Sequence, residues 1–161
     1  MPEIEVKAAF LYHLAHFIEW PQALLTPSSK PFVICVAGES PVRRALDQLS
    51  RDKTVGPHPL HVRQVRANDD VHFCHILFIA ASEGAKTEAY LDQVRGSPVL
   101  TVGEEPGFCS RGGVIEFLVD AERVRFDISI GGLGKSGLHA SSRLLWLTRH
   151  SEEPVRAGGS R

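Results

Sequence analysis

Hydrophobic and polar positions follow two different periods along this chain. Over residues 3–20, apolar side chains recur every three or four residues, which predicts an amphipathic helix. The apolar stripe of that helix comprises Val6, Phe10, Leu14, Phe17 and Ile18. Pro21 follows directly, and a proline at this place ends a helix because it cannot continue the hydrogen-bond ladder.

Three short runs that are almost entirely apolar come next. They are residues 32–37, 75–80 and 99–102. Such runs are typical of strands that are covered on both faces of a parallel sheet. Helical patterns separate the runs, and the alternating residues 60–65 suggest a further strand at a sheet edge. The alternation of strand and helix predicts a mostly parallel, doubly wound sheet with helices on both faces.

The last third of the chain predicts an antiparallel hairpin. Residues 114–119 and 123–130 are rich in β-branched and aromatic side chains, and a short polar loop separates them. In the second strand Val124, Phe126, Ile128 and Ile130 share one face, while Arg123, Arg125, Asp127 and Ser129 share the other. Glycines then predict a sharp turn, and a final helix begins at about Lys135. The fold class is therefore α/β, with this antiparallel hairpin at the edge of the sheet and a helix at the end.

Length and composition narrow the function classes. A chain of 161 residues favours one domain, which we place at residues 3–148, followed by a flexible tail at 149–161. The net charge of −1 gives no electrostatic case for nucleic acid, and no apolar run is long enough to span a bilayer. The first residues lack a signal peptide, so we expect either a cytosolic protein or an export signal that is missing from this sequence.

Residues 131–136, with the sequence GGLGKS, resemble part of a phosphate-binding loop. In such a loop Lys135 would reach the terminal phosphates and Ser136 would hold magnesium. The complete motif requires a glycine five residues before Gly134, but Ser129 stands there. We therefore interpret the segment as a glycine turn that leads into the last helix. A nucleotide-binding enzyme that uses this degenerate loop remains an alternative hypothesis.

Cysteine and histidine positions suggest further chemistry. His72, Cys74 and His75 invite a zinc site, although neighbouring side chains of a strand point to opposite faces. Cys35 lies in the middle of one predicted strand and Cys74 at the entry to another. The two are either small buried side chains or, if their strands are adjacent, a disulfide. Cys109 is a loop thiol whose pKa could be lowered by nearby Arg111.

Seven segments, taken in order, resemble the YfiR-like family. They are KAAFLYHLAHFIEWP (residues 7–21), FVICV (32–36), CHILFI (74–79), PVLTV (98–102), GGVIEF (112–117), VRFDI (124–128) and LHASSRLL (138–145). The resemblance covers residues 3–148. It implies a periplasmic regulator without catalytic residues or cofactors, which represses an inner-membrane diguanylate cyclase by binding its periplasmic sensor domain. It thereby implies control of cyclic di-GMP and biofilm formation, with an outer-membrane lipoprotein as a second partner.

The resemblance also assigns roles to cysteines. Family members are generally dimeric and carry disulfides, which implies that Cys35 pairs with Cys74 in an oxidising compartment. A second family disulfide would join Cys109 to a cysteine a few residues later. This chain has no such cysteine, so Cys109 is expected to be an unpaired thiol. The family typically has glutamate where Asp127 stands.

An inhibitor of this kind works through a surface patch rather than a reactive group. The first candidate patch is the outward face of the last strand, with Arg123, Arg125 and Asp127. The second is the end of the first helix, with Glu19 and Trp20, although a core role for Trp20 is an equal alternative. A small-ligand-binding module is the alternative function, and it would use the crevice at the carboxyl ends of the strands. The residues that line this crevice would be Gly38, Glu39, residues 80–82, Gly103 and Glu104.

Overall fold

The computed structural model of the protein describes residues 2–27, 29–120 and 123–145. Within these residues it contains a seven-stranded sheet, a separate two-stranded sheet and flanking helices. The strands are β1 (Ile18–Glu19), β2 (Phe32–Ala37), β3 (Thr54–Val55), β4 (His58–Val65), β5 (Ile76–Ile79), β6 (Leu100–Gly103), β7 (Ile115–Asp120), β8 (Arg123–Ile128) and β9 (His139–Ala140). The α-helices are α1 (Glu3–Phe17), α2 (Pro41–Ser50), α3 (Thr87–Val94) and α4 (Ile130–Lys135), and residues 142–145 are also helical.

The strand order of the large sheet is β3-β4-β2-β5-β6-β7-β8. Strands β4, β2, β5, β6 and β7 are parallel, whereas β3 and β8 run antiparallel to their neighbours. The structure thus confirms the mostly parallel sheet and the hairpin of β7 and β8 at one end of it. The alternating pattern of residues 60–65 predicted that β4 is the edge strand at the other end. In the structure β3 lies beyond β4 and is the edge strand there.

Strand β2 lies at the centre of the fold, and all six of its residues are buried. Its side chains alternate between two cores because successive residues of a strand point to opposite faces. Phe32 and Ile34 pack in the core that contains α1 and α2, whereas Val33 and Cys35 pack in the core that contains α3. This arrangement explains why the sequence of β2 is apolar at every position.

Helix α1 differs from its prediction in two ways. It ends at Phe17 rather than at Trp20, because Ile18 and Glu19 form β1 and pair with β9. Its buried face is also rotated from the predicted stripe and comprises Lys7, Ala8, Leu11, Leu14 and Ala15. Alanines on that face leave room for close packing on the sheet. No helix among the described residues is long and apolar enough to cross a membrane.

The beginning of α2 follows from its sequence. The Ser40 hydroxyl oxygen accepts a hydrogen bond from the backbone N–H of Val42 at 3.1 Å, and Pro41 occupies the first helical position. Both features are favoured at helix N-termini, where the first N–H groups have no intrahelical partner: the serine oxygen accepts from one of them, and proline has no N–H to leave unpaired. The sequence therefore predicted this cap correctly.

The glycine-rich segment corrects another prediction. Residues 130–135 form the short helix α4 instead of an open turn, and the chain turns afterwards at Gly137, whose φ is 76°. Two contacts hold the glycines in a helix. Leu133 is buried, and the backbone N–H of Gly132 donates to the Ser129 hydroxyl oxygen at 3.0 Å. The helix predicted from Lys135 begins later, at residue 142, and the predicted tail lies outside the described residues.

Candidate partner-binding surface

The last strand of the sheet presents an apolar face inward and a charged face outward. Val124 and Phe126 of β8 are buried, and the ring of Phe126 lies 4.3 Å from that of Phe10 in α1. On the opposite face Arg123 is exposed, while Arg125 and Asp127 are half-buried. The structure therefore confirms the alternation as far as Ile128, but the prediction for the last two positions is wrong, because Ser129 caps α4 and Ile130 is exposed in that helix. It also brings the three charged candidates together on one strand.

A buried carboxylate lies beside this charged row. Glu116 of β7 stands directly opposite Asp127 of β8 and is only 7% exposed. Its two carboxylate oxygens accept hydrogen bonds from the backbone N–H groups of Gly107 and Cys109, each at 3.0 Å. Glu116 thus holds the loop between β6 and β7 against the hairpin, next to the charged row. Sequence reasoning missed this role, although an acidic residue inside an apolar strand was a visible signal.

Cys109 is a free, half-buried thiol in that loop. Its sulfur donates to the backbone carbonyl of Val114 at 3.4 Å. Burial, together with the negative charges of Glu116 and Asp127, raises the pKa of this thiol to about 12. The expectation that Arg111 lowers the pKa of Cys109 is therefore wrong, and the thiol is protonated at neutral pH.

Arg111 is engaged elsewhere. Its guanidinium donates to the carboxylates of Glu88 at 2.9 Å and Glu105 at 2.8 Å. The ion pair with Glu88 ties the loop between β6 and β7 to α3, and the pair with Glu105 lies within the loop. Both pairs direct the guanidinium away from the neighbouring thiol. They also raise the pKa of Arg111 itself.

Glu19 and Trp20, the second candidate pair, lie apart from the hairpin row: Glu19 is in the two-stranded sheet, and Trp20 follows it directly. Glu19 is exposed in β1, where it pairs with His139 of β9. Trp20 is half-buried and donates from its indole nitrogen to the carbonyl of Ala15 at 3.2 Å. Its ring also meets the edge of Phe32, with centroids 5.2 Å apart. Trp20 thus has a clear packing role, and a partner-binding role for either residue stays a prediction.

His75 completes the aromatic cluster beneath Trp20. It is buried, and its ring stacks on Phe32 with centroids 4.4 Å apart. Its Nδ1 atom accepts from the backbone N–H of Val33 at 3.1 Å, so its Nε2 atom carries the proton and faces the carbonyl of Leu24 at 3.4 Å. Burial lowers the pKa of His75, and the neutral ring is the form that these two hydrogen bonds require.

The structure joins Cys35 and Cys74 by a disulfide, with the Cα atoms 5.8 Å apart. Both residues are buried in the core that contains α3. This is the pairing that the family resemblance implies. The hypothesis of a zinc site loses one ligand, since the Cys74 sulfur is in the disulfide, and His72 instead contacts Asp70 at 2.7 Å. Among the described residues, no group of three or more suitable side chains could hold a metal ion.

The crevice of the alternative function lies at the carboxyl ends of β2 and β5, where the strand order reverses direction. The protein's own side chains occupy this place. Glu83 packs so closely against Gly38 that a Cβ atom there would lie 2.7 Å from its carboxylate. The other oxygen of Glu83 accepts from the Tyr90 hydroxyl at 2.8 Å, and Ser82 donates to the carbonyl of Glu39 at 3.0 Å.

A second carboxylate fills the neighbouring end of β6. One oxygen of Glu104 accepts from the backbone N–H of Ala81 at 2.9 Å, and the other contacts the ammonium group of Lys7 at 2.7 Å. Lys7 is only 4% exposed and also contacts Glu3 at 2.7 Å. These carboxylates raise the pKa of Lys7, although burial, the largest single influence, acts in the opposite direction. Hydrogen bonds and ion pairs within the protein therefore engage the polar side chains at these strand ends, and a hollow of about 460 Å³ remains beside Lys7 and Glu104.

Segment 131–136 lacks the geometry of a phosphate-binding loop. The N–H of Gly132 is bound by the Ser129 hydroxyl, and the Ser136 hydroxyl donates to the carbonyl of Gly132 at 3.0 Å. Groups that a nucleotide or its magnesium would need are thus used within the helix. The interpretation of this segment as a nucleotide site has no support in these contacts.

Comparisons with known proteins complete the description. The family model described as YfiR/HmsC-like (DUF4154) matches residues 4–149 of the chain. That span contains all the helices and strands described above, apart from Glu3, the first residue of α1. No curated protein gave a significant match.

Proposed function

The chain belongs to the YfiR/HmsC-like family, and we propose from this that it is a periplasmic protein that represses an inner-membrane diguanylate cyclase. The family is known for periplasmic regulators of such cyclases. The observation that carries the proposal is the match over residues 4–149. Repression of the cyclase lowers cyclic di-GMP and with it biofilm formation.

Recognition in this proposal occurs at the outward face of β8. Arg123, Arg125 and Asp127 lie in a row on a strand whose other face is fixed in the core. The neighbouring loop is held by Glu116, so the row is presented on a rigid base, which limits the entropy lost on binding. The buried Cys35–Cys74 disulfide suits an oxidising compartment such as the periplasm. An outer-membrane lipoprotein and a second copy of the chain are the further partners that we propose.

The test is co-purification with the periplasmic sensor domain of a membrane diguanylate cyclase encoded in the same operon. We expect the wild-type protein to form a complex and to lower cyclase activity in membranes. Arg125→Glu reverses one charge of the row and should weaken the complex at least tenfold.

The matched control for this test is Arg63→Glu. Arg63 is exposed in β4, toward the opposite end of the sheet, where it lies over the ring of Phe73. Equal loss of binding in both variants would indicate a nonspecific charge effect and would contradict the placement of the interface on β8. Absence of any complex with the wild-type protein would contradict the proposed function itself.

A further inference from the structure

A cleft of about 240 Å³ lies between the end of α3 and the helix α4, on the face of the sheet that α3 covers. We call it the α3–α4 cleft. Its polar lining includes Arg95, Thr101, Cys109, Ser110, Lys135 and Ser136. None of the lining residues is acidic. The cleft thus combines the glycine-rich segment with two cationic side chains, a combination that the proposed function does not use.

Thr101 is the buried polar group of this cleft. It is 3% exposed, and its hydroxyl oxygen accepts a hydrogen bond from the backbone N–H of Val114 at 3.0 Å. The hydroxyl proton donates to no other group among the described residues. The hydroxyl therefore has one partner, as buried polar groups almost always do, and its proton is left over. Because Thr101 lines the cleft, this proton is available to a group that binds there.

Two cations flank the same space. Lys135, the last residue of α4, makes no ion pair with any residue in the described part of the chain. Arg95, just beyond α3, contacts Asp92 on the surface and has further donors in its guanidinium group. Ser110 adds a hydroxyl without a side-chain hydrogen bond to the described residues. The free groups of the cleft are therefore donors and positive charges, which suit an oxyanion.

The acidic residues near the cleft restrict where an anion would sit. Glu116 and Asp127 act on the Cys109 thiol, so the cleft is least favourable to negative charge near that residue. The thiol itself is neutral and adds no repulsion. An anion is therefore favoured beside Lys135 or Arg95 rather than beside Cys109.

We propose that the α3–α4 cleft binds a small oxyanion, of the class of inorganic phosphate, sulfate or a short carboxylate. Its volume equals about eight water molecules at roughly 30 Å³ each, which is enough for such an ion. Pockets for larger organic ligands measure about 300–1,000 Å³, so the volume of this cleft favours a small ion over a whole nucleotide. The glycine-rich segment contributes one wall of the cleft rather than a loop around a diphosphate.

The experiment is a titration of the wild-type protein with phosphate, sulfate and acetate, each against sodium chloride of equal ionic strength. Amide chemical shifts measured by NMR report binding. We expect saturable shifts at residues of the cleft with at least one of the three ions, and the ion that gives them identifies the ligand class. Saturation by none of them, or shifts confined to other surfaces, would overturn the proposal.

Variants test the residues. Lys135→Gln should weaken the ion's binding about tenfold, whereas Lys86→Gln, which removes an exposed lysine just before α3, should leave it unchanged. Equal effects of the two variants would mean that the ion responds only to the charge of the protein surface, and this would contradict a site in the α3–α4 cleft. Thr101→Val should also weaken binding, and Thr101→Ser, which restores the hydroxyl, should recover it. Binding that is unchanged in folded Thr101→Val would contradict the role of the buried hydroxyl.

Discussion

Glu116 and Asp127 stand directly opposite each other on β7 and β8, although like charges at such positions repel. Each carboxylate is bound by backbone N–H groups. Glu116 accepts from Gly107 and Cys109, and Asp127 accepts from the N–H of Ile128 at 3.1 Å. The two carboxylates can therefore lie opposite each other because backbone N–H groups offset their negative charges. The hydrogen bonds of Glu116 go to the loop and stabilise it rather than the hairpin.

Replacement of Glu116 by alanine should destabilise the fold by about 1–3 kcal/mol, because it leaves the N–H groups of Gly107 and Cys109 without an acceptor. Glu116→Gln retains one carbonyl oxygen and relieves the repulsion, so its cost should be smaller. Urea denaturation measures both. A free energy of unfolding for Glu116→Ala that equals the wild-type value would contradict the role of Glu116 as the anchor of the loop.

Reduction of the Cys35–Cys74 disulfide should lower the melting temperature, since the bond closes a loop with a sequence separation of 39 residues. A disulfide of this kind contributes about 2–4 kcal/mol. The measurement is a thermal melt with and without dithiothreitol. The double variant Cys35→Ala/Cys74→Ala serves as the control, because its melt should not respond to the reductant. A wild-type melt that ignores the reductant while both thiols become free would contradict the prediction.

Stability should fall in mild acid because of His75. Burial holds the pKa of His75 below its ordinary value of 6.5, so the unfolded chain binds a proton more readily than the folded one. The contribution of neutral His75 is therefore complete above pH 6.5 and is lost as the pH falls from 6.5 toward the folded pKa. The free energy of unfolding at pH 7.5 and pH 5 measures the effect.

The control for this pH dependence is His75→Asn, whose side-chain oxygen can accept from Val33 but does not titrate over this range. It should be less stable at pH 7.5 and should lose less stability between the two pH values than the wild-type protein. Some loss will remain, because His13 also has a lowered pKa, chiefly through burial. An identical pH profile in wild type and His75→Asn would show that His75 does not carry the effect.

Cys109 should react slowly with alkylating reagents, because only the thiolate is nucleophilic. With a pKa raised to about 12, its rate with iodoacetamide at pH 8 should be lower than that of an unfolded cysteine by roughly a hundredfold or more. Mass spectrometry of the protein in buffer and in urea, without reductant, gives both rates. Similar rates in the two conditions would mean that the folded loop neither buries the thiol nor surrounds it with negative charge.

The elements that the sequence predicted correctly depend on local patterns. The apolar run of β2, the alternation in β8 and the Ser40 cap of α2 each follow from residues within a few positions of one another. The disulfide partners were identified through the family resemblance, because the spacing of the cysteines alone left two interpretations open. The charged row of β8 followed from the same alternation that placed Phe126 in the core.

Features that the sequence did not reveal depend on distant contacts. The ion pair with Glu104 allows Lys7 to be buried, but Glu104 lies 97 residues later in the chain. The periodicity of α1 alone therefore placed Lys7 away from the core. Glycines disfavour helices, yet α4 forms because Leu133 is anchored in the core and Ser129 caps the helix. Glu116 did give a signal, as an acidic residue inside an apolar strand, but the pattern did not identify its partners, since alternation places it outward and the return of the loop buries it.

The bond between Cys35 and Cys74 has a consequence for cleavage. The covalent ring that it closes contains α2 and the strands β3 and β4, and these two strands form one end of the large sheet. A protease that cuts the backbone once inside this ring produces two fragments that stay attached through sulfur. Such a nicked molecule keeps its mass on a non-reducing gel and separates into two pieces only after the thiols are restored.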